Sequence, residues 1–289
     1  MNLNLVSFCS VVKNEENHLN NLIDSLLKIC KYAPNAEFIF VDDYSRDNTF
    51  NILENYAKND KRFIVIKNSS PGKVVGTNKA LENCSKEYIK FIDGDDLLLG
   101  DYLSIPDSFQ CLYHDYTILS DFDEKYVKTG DWLAIKPYLI RKHFRSIPKA
   151  MFIFNRKHIE KFFPIPENLP FEDLWINLAA SEAREIIYFK NSLYVYRQHA
   201  NQFYGSLSNF NSDKKIRMAR RFQDYYDYLS KSKHPFSFKI PNKQIKHYAK
   251  ALNSNNLFSY FYLLKSPKLF LKAIFYNFSG LIRLLWNRS

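Results

Sequence analysis

Phe91-Ile92-Asp93-Gly94-Asp95-Asp96 places three carboxylates, interrupted only by a glycine, directly after a short apolar strand, Tyr88 to Ile92. Acidic side chains repel one another and resist burial, so such a cluster serves packing poorly. A doubly positive ion resolves the repulsion. Mg²⁺ and Mn²⁺ are hard cations that take carboxylate oxygens, keep several waters and bridge to phosphates. An acidic cluster where a strand runs into a turn is therefore a candidate metal–diphosphate site. The plain alternative is a solvated acidic turn.

The flanking sequence bears on that choice. Leu3 to Val12 is an apolar run that stops at Lys13-Asn14-Glu15-Glu16. Leu19, Leu22, Ile23, Leu26, Leu27 and Cys30 follow at the three- and four-residue spacing of an amphipathic helix. Glu37 to Val41 reads as a second buried strand ending in Asp42-Asp43, and Ile52, Leu53, Tyr56 and Ala57 as a second helix. Phe63 to Ile66 is a third strand, Pro71-Gly72 a turn, and Asn78 to Cys84 a third helix leading to Tyr88. Alternating strands and helices, with strands apolar throughout, predict an α/β fold: a mainly parallel sheet covered on both faces. Ligands of such sheets bind beyond the carboxyl ends of the strands. Lys13-Asn14, Asp42-Asp43 and Asp93 to Asp96 all fall at such ends.

Ser10-Val11-Val12-Lys13-Asn14-Glu15, Val41-Asp42-Asp43-Tyr44-Ser45-Arg46-Asp47-Asn48-Thr49 and Asp93-Gly94-Asp95-Asp96 resemble, in order and spacing, the opening motifs of glycosyltransferase family 2. The resemblance is close over residues 4 to about 100 and thinner to about 205. It implies a GT-A fold, a nucleotide-sugar donor with UDP as the expected carrier, and an inverting transfer. It further implies that Val11 to Asn14 and Asp42-Asp43 hold the base, one of the two aspartates accepting the N3–H of a uracil. Asp93 then lies near the ribose and Asp95 binds Mn²⁺ or Mg²⁺ on the diphosphate, with Asp96 bracing the loop. The chain departs from the family where relatives carry a proline and an aromatic, at Val11 and Lys13. A segment that often holds an Arg-Asn pair reads Thr77-Asn78 here, so Asn78 with Lys73 or Lys79 is expected to face the phosphates.

Two later stretches extend the likeness. Phe171-Glu172-Asp173-Leu174-Trp175 opens a helix after a proline-rich loop. Direct displacement at an anomeric carbon needs a carboxylate beside the acceptor hydroxyl, opposite the leaving diphosphate. Glu172-Asp173 resembles the catalytic pair of inverting relatives, with Asp173 as general base and Glu172 orienting; helix capping is the competing explanation. Tyr196-Arg197-Gln198-His199 resembles the run that often closes the family's catalytic domain. It implies Arg197 on a phosphate and His199 completing the metal shell beside Asp95.

Composition bounds the remainder. A chain of 289 residues buries one substantial domain plus an appendage. The expected division is a catalytic domain over 1–205, itself a nucleotide half (1–100) and an acceptor half (101–205), followed by a helical basic region over 206–289. Trp132, Tyr138 and His143 are candidate sugar contacts in the acceptor half. Cys9, Cys30, Cys84 and Cys111 form no Cys-x-x-Cys pair and read as core residues of a reducing compartment. Met1 to Val12 lacks the basic flank and long apolar stretch of a signal peptide. From Ser206 onward sixteen Lys/Arg face three Asp, whereas the whole chain carries +11, so the first 205 residues are slightly acidic.

The tail's last stretch, Pro267 to Asn287, combines Leu, Ile, Phe and Trp with Lys268, Lys272 and Arg283, and Arg288 stands beside it. Its uncharged span between Lys272 and Arg283 is too short to cross a bilayer, and the stretch fits an anionic membrane surface or packing on protein. No nucleic acid is expected, since no RNA module accompanies the charge, and self-association stays open. The expectation is thus a metal-dependent transferase acting on a glycan or lipid-linked acceptor in bacterial surface polysaccharide or lipooligosaccharide synthesis. It would be cytoplasmic and peripheral at the inner face of the membrane. A nucleotidyltransferase-like enzyme would require a glycine-rich basic loop after the first strand, where Lys13 to Glu16 stands. A non-catalytic carbohydrate-binding module stays open as well.

Overall fold

The computed structural model describes residues 1–120, 123–125, 147–198, 221, 224, 225 and 227–237. Their elements run β1 (Val6–Val12), α1 (Leu19–Ile29), β2 (Glu37–Asp42), α2 (Thr49–Asn59), β3 (Phe63–Lys67), α3 (Lys73–Glu82) and β4 (Tyr88–Asp93). After these come β5 (Leu97–Leu98), β6 (Cys111–Ser120), β7 (Asp123–Lys125), β8 (Phe152–Asn155), α4 (Arg156–Ile159), α5 (Asp173–Ser181) and β9 (Ile186–Gln198).

The strands form one nine-stranded mixed sheet in the order β3-β2-β1-β4-β8-β6-β9-β5, with β7 paired to β6. β3, β2, β1 and β4 run parallel, as their continuous apolar sequences predict. β8 is antiparallel to both β4 and β6, which opens the second half of the sheet. β9 runs parallel to β6 and pairs antiparallel with the short β5. The acidic turn after β4 is thereby tied at its far end to β9.

The first helix buries the face its spacing foretold. α1 seals Leu19, Leu22, Ile23 and Leu26 against the sheet. Burying side chains of this size contributes roughly 1.5–3 kcal/mol each. α3 begins five residues earlier than its apolar spacing indicates. Its buried face carries Gly76, Thr77 and Asn78 beside Val74, Ala80 and Leu81, so the periodic signal there is thin.

The four cysteines are buried and unpaired. Past residue 205, expected to be a separate region, Tyr225, Leu229 and Phe236 join the same core as the sheet residues. Residues 206–220 and the final helix expected over 267–287 lie outside the described residues, as do Trp132, Tyr138, His143 and His199. No helix among the described residues is long and apolar enough to cross a membrane.

Candidate active site

The tips of β1 and β2 are laced together. The Asp43 backbone N–H donates to Val12 C=O at 2.8 Å. Asn14, at φ 57°, accepts the Arg46 N–H on Oδ1 at 2.8 Å, and its own N–H donates to Ser45 Oγ at 3.0 Å. The two aspartates that follow differ in what they already hold. Asp43 Oδ1 accepts from Asn68 Nδ2 and from Gly72 N–H, both at 2.8 Å, and so shapes the loop before α3. Asp42 Oδ2 accepts the Ser45 N–H at 3.2 Å, while its Oδ1 is buried with no hydrogen-bond partner. Val11 lies under α3, where a Cβ on Gly76 would stand 2.7 Å from Val11 Cγ1. Only glycine lets the helix come so near the first strand tip.

A second group gathers Asp93 at the end of β4, Lys73 at the start of α3, Lys149 ahead of β8, and Glu172-Asp173 at the entry of α5. Asp93 Oδ1 receives Lys149 Nζ at 2.8 Å and Lys73 Nζ at 2.9 Å. Glu172 Oε1 pairs with Lys149 Nζ at 2.9 Å and lies 3.8 Å from Lys73 Nζ. Asp173 Oδ1 accepts the Lys149 backbone N–H at 3.0 Å. The Lys149 side chain is 3% exposed and that of Lys73 49%, so Lys149 is the fixed cation and Lys73 stands at the mouth.

Burial by itself would raise both Asp93 and Glu172, but the two ammonium groups outweigh it and hold both below the ordinary carboxylate range. Lys149 is correspondingly held well above the usual lysine value: burial opposes its charge, and Asp93, Glu172 and Asp173 overcome that. Asp173 differs. Burial pushes it up to about 6, with Lys149 opposing and Glu172 adding to the rise. A carboxylate poised there is ionised at neutral pH yet basic enough to take a proton.

The acidic turn is the third part. Asp93 N–H donates to Tyr194 Oη at 2.8 Å. Asp96, fully buried, accepts the Arg197 N–H at 2.7 Å and so braces the loop. Arg197 Nε donates to Asp95 C=O at 3.0 Å, which places this guanidinium beside the turn. A Cβ on Gly94 would stand 2.9 Å from Glu15 Cγ, so Glu15 from the β1 loop lies against the turn. Burial, then the charges of Asp95 and Asp93, push Glu15 up to about 8. The carboxylates of Glu15, Asp93 and Asp95 crowd one turn and, beyond burial, raise Glu15 by mutual repulsion, a set of hard oxygen donors that would suit a cation. Among the described residues no group of three or more His, Cys, Asp or Glu is placed to hold a metal ion.

The sequence-derived residues therefore separate into groups. Lys73, Asp93, Glu172 and Asp173 are brought together. Val11, Asn14, Asp42 and Asp43 line the neighbouring strand tips, and Asp95 and Arg197 share the turn. Asn78 serves otherwise: its amide donates to Ile165 C=O and accepts the Ile165 N–H, both at 2.8 Å, clasping the proline-rich loop. Lys79 pairs with Glu82 on the exposed side of α3 at 3.3 Å. Sequence reasoning missed Lys149 and Glu15. The available signal for Lys149 was a single lysine between apolar neighbours in Ile147-Pro148-Lys149-Ala150-Met151; Glu15 carried none beyond its motif.

Comparison with known proteins bears on the family and the fold. The sequence model of the family described as Glycosyl transferase family 2 matches residues 7–163. The chain is 31% identical over 215 residues to the putative glycosyltransferase EpsH of Bacillus subtilis, covering 67% of this chain and 61% of that one. It thus spans about three fifths of this relative's length. Among solved structures, S. aureus TarS 1–349 superposes with a TM-score of 0.59 at 16% identity, covering 93% of this chain and 71% of that one. The mannosyltransferase PcManGT of Pyrobaculum calidifontis gives 0.57 at 15% identity, covering 99% and 88%. With a parallel strand-tip half, a mixed second half and a family match over more than half of its length, the chain belongs to glycosyl transferase family 2 and has the GT-A fold.

Proposed function

We propose that the protein transfers a sugar from a nucleotide-sugar to a hydroxyl acceptor with inversion at the anomeric carbon. The observation that carries this reading is the Asp93–Lys149–Glu172–Asp173 group. It leaves one half-buried carboxylate, Asp173, basic and orients it by a backbone N–H. Asp42 Oδ1 offers the base an unpaired acceptor, Asp43 holds the pocket loop, and Asp93 faces the ribose. Asp173 takes the proton of the acceptor hydroxyl as that oxygen bonds to the anomeric carbon, and the bond to the diphosphate breaks with its electrons on the leaving phosphate. Half-exposed Lys73 meets the charge that develops there. Mg²⁺ or Mn²⁺ held by Asp95 would supply further charge neutralisation on the diphosphate. Solved neighbours support the donor class: TarS 1–349 has been crystallised with UDP-GlcNAc and PcManGT with GDP-Man and Mn²⁺. The acceptor proposed is a glycan or lipid-linked glycan of the cell surface.

A panel of nucleotide-sugars with Mn²⁺ or Mg²⁺, scored for transfer and donor hydrolysis, tests the class. Asp173→Asn keeps the shape but cannot take the proton. Its turnover is expected to fall by on the order of 10²–10⁴-fold with donor affinity unchanged. An unaltered rate, a loss confined to donor binding, or a product of retained configuration would refute the assignment of the base.

A further inference from the structure

We propose that Arg221, Tyr225, Phe236 and Ser237 act as positioning residues for the Glu172–Asp173 pair, making this part of the tail a working part of the active site. The proposal rests on the reading of Asp173 given above.

Glu172 occupies the N-cap of α5 without a side-chain capping bond, so α5 has no cap of its own to fix the conformation of its entry peptides. The tail supplies that constraint from outside. The Tyr225 O–H donates to the carbonyl of Phe171, the peptide whose nitrogen belongs to Glu172. Arg221 Nη2 donates to Pro170 C=O at 2.9 Å, and its guanidinium lies 4.2 Å over the Phe171 ring. Tyr225 is fully buried and meets the same ring edge-on at 5.0 Å.

The grip continues along the helix. Trp175 donates Nε1–H to Phe162 C=O at 2.6 Å. Phe236 closes on both partners, edge-on to Trp175 at 4.7 Å and stacked on Phe162 at 5.5 Å. At the far end Ser237 donates its N–H and Oγ–H to Glu182, the C-cap residue, at 3.2 and 2.6 Å. One short stretch of tail thus holds α5 at entry, middle and exit. The entry contacts lie one and two peptides from the carboxylates whose placement decides whether the acceptor hydroxyl is in line. Small displacements of a reacting group cost rate far more than they cost folding.

The test uses the full chain. Tyr225→Phe removes one O–H, Arg221→Met removes the other donor, and Arg221→Lys returns a donor without the planar fork. Turnover is expected to fall about tenfold in Tyr225→Phe and in Arg221→Met, with donor Kd unchanged and specific activity reduced per folded molecule. Arg221→Lys is expected to recover part of the loss. Wild-type turnover in Arg221→Met, whose side chain is half-buried, overturns the proposal even if Tyr225→Phe fails to fold. A loss that follows only the folded fraction overturns it too and makes the contacts purely structural. Asp173→Asn measured in parallel separates the two claims. If it is inert while Arg221→Met equals wild type, only the tail's role falls; if it turns over normally, the reading of the pair falls and takes the tail's role with it.

Discussion

Lys90, in the middle of β4, and Lys149, just ahead of β8, are both sealed from solvent, at 0% and 2% exposure, and they meet opposite kinds of partner. Lys149 ends among carboxylates, 2.8 Å from Asp93 and 2.9 Å from Glu172. Lys90 Nζ lies 2.5 Å from His114 Nε2 and also reaches the carbonyl of Ala150, the residue that follows Lys149. His114 Nδ1 is 2.7 Å from the Asp115 carbonyl, which calls for a proton on Nδ1 and leaves Nε2 as an acceptor. A neutral amine with two N–H donors satisfies both of its partners. Burial accordingly drives Lys90 well below the ordinary lysine value, and the more distant Asp93 and Asp96 only partly oppose this. Equal burial accompanies opposite shifts because the partners differ. Lys149, raised, is the one that organises the candidate chemistry; Lys90, lowered, holds the strand behind it.

Removing the charged member should have the largest effect. Among the described residues, Lys149→Met leaves Asp93 and Glu172 with only half-exposed Lys73 for compensation. Stripping one partner from a buried ionic group costs about 3–5 kcal/mol. Urea unfolding at pH 7 should register that loss, together with nearly complete loss of transfer. A variant that keeps wild-type stability would mean that Lys149 is not the fixed cation, and the contrast with Lys90 would collapse.

The next effect is read in pH rather than in a mutant. Asp173 must be ionised to accept a proton, and its value of about 6 sets an acid limb for turnover there. Below that limb the rate should fall tenfold per pH unit. The linkage to stability has the opposite sense. Because Asp173 is raised on folding, from 3.8 to about 6, it favours the folded state at low pH and loses that contribution as pH climbs between those values. Asp93 and Glu172, both lowered, contribute stability that is present above their ordinary values and lost in acid. A flat rate between pH 5 and 8 would remove Asp173 from the role of base.

What was legible in the residues follows the same division as the two lysines. The parallel half was readable because its strands are apolar throughout and end in polar tips, so Asp42, Asp43, Asp93 and Asp95 announced themselves by position. Asp173 and Glu172 were readable as a motif at a helix start. Lys149 was not, since its partners come from β4 and α5, far away in the chain. Asn78 invited a ligand role by its place in a motif, whereas its amide is spent on Ile165, a contact that only the folded loop reveals. Composition shows the basic excess of the tail, yet it cannot show that Tyr225 and Phe236 belong to the core beneath α5.

Lys90→Met should have the smallest effect and the most informative sign. The substitution keeps length and apolar volume and removes two N–H donors, leaving Ala150 C=O and His114 Nε2 unpaired at a cost of about 1–3 kcal/mol. Against this, a lysine lowered on folding weakens the folded state at any pH below its unfolded value, because unfolding lets it bind a proton. That penalty fades as pH rises toward the ordinary lysine value of 10.5. At pH 7 the two contributions oppose, and Lys90→Met should stay within about 1 kcal/mol of wild type or exceed it. At pH 10 the penalty is mostly gone, the lost hydrogen bonds dominate, and the variant should be the less stable protein. Denaturant melts at the two pH values check the crossover. A large loss at pH 7 would mean that Lys90 is charged in the folded protein, like Lys149, with His114 and Ala150 as partners of an ammonium rather than an amine.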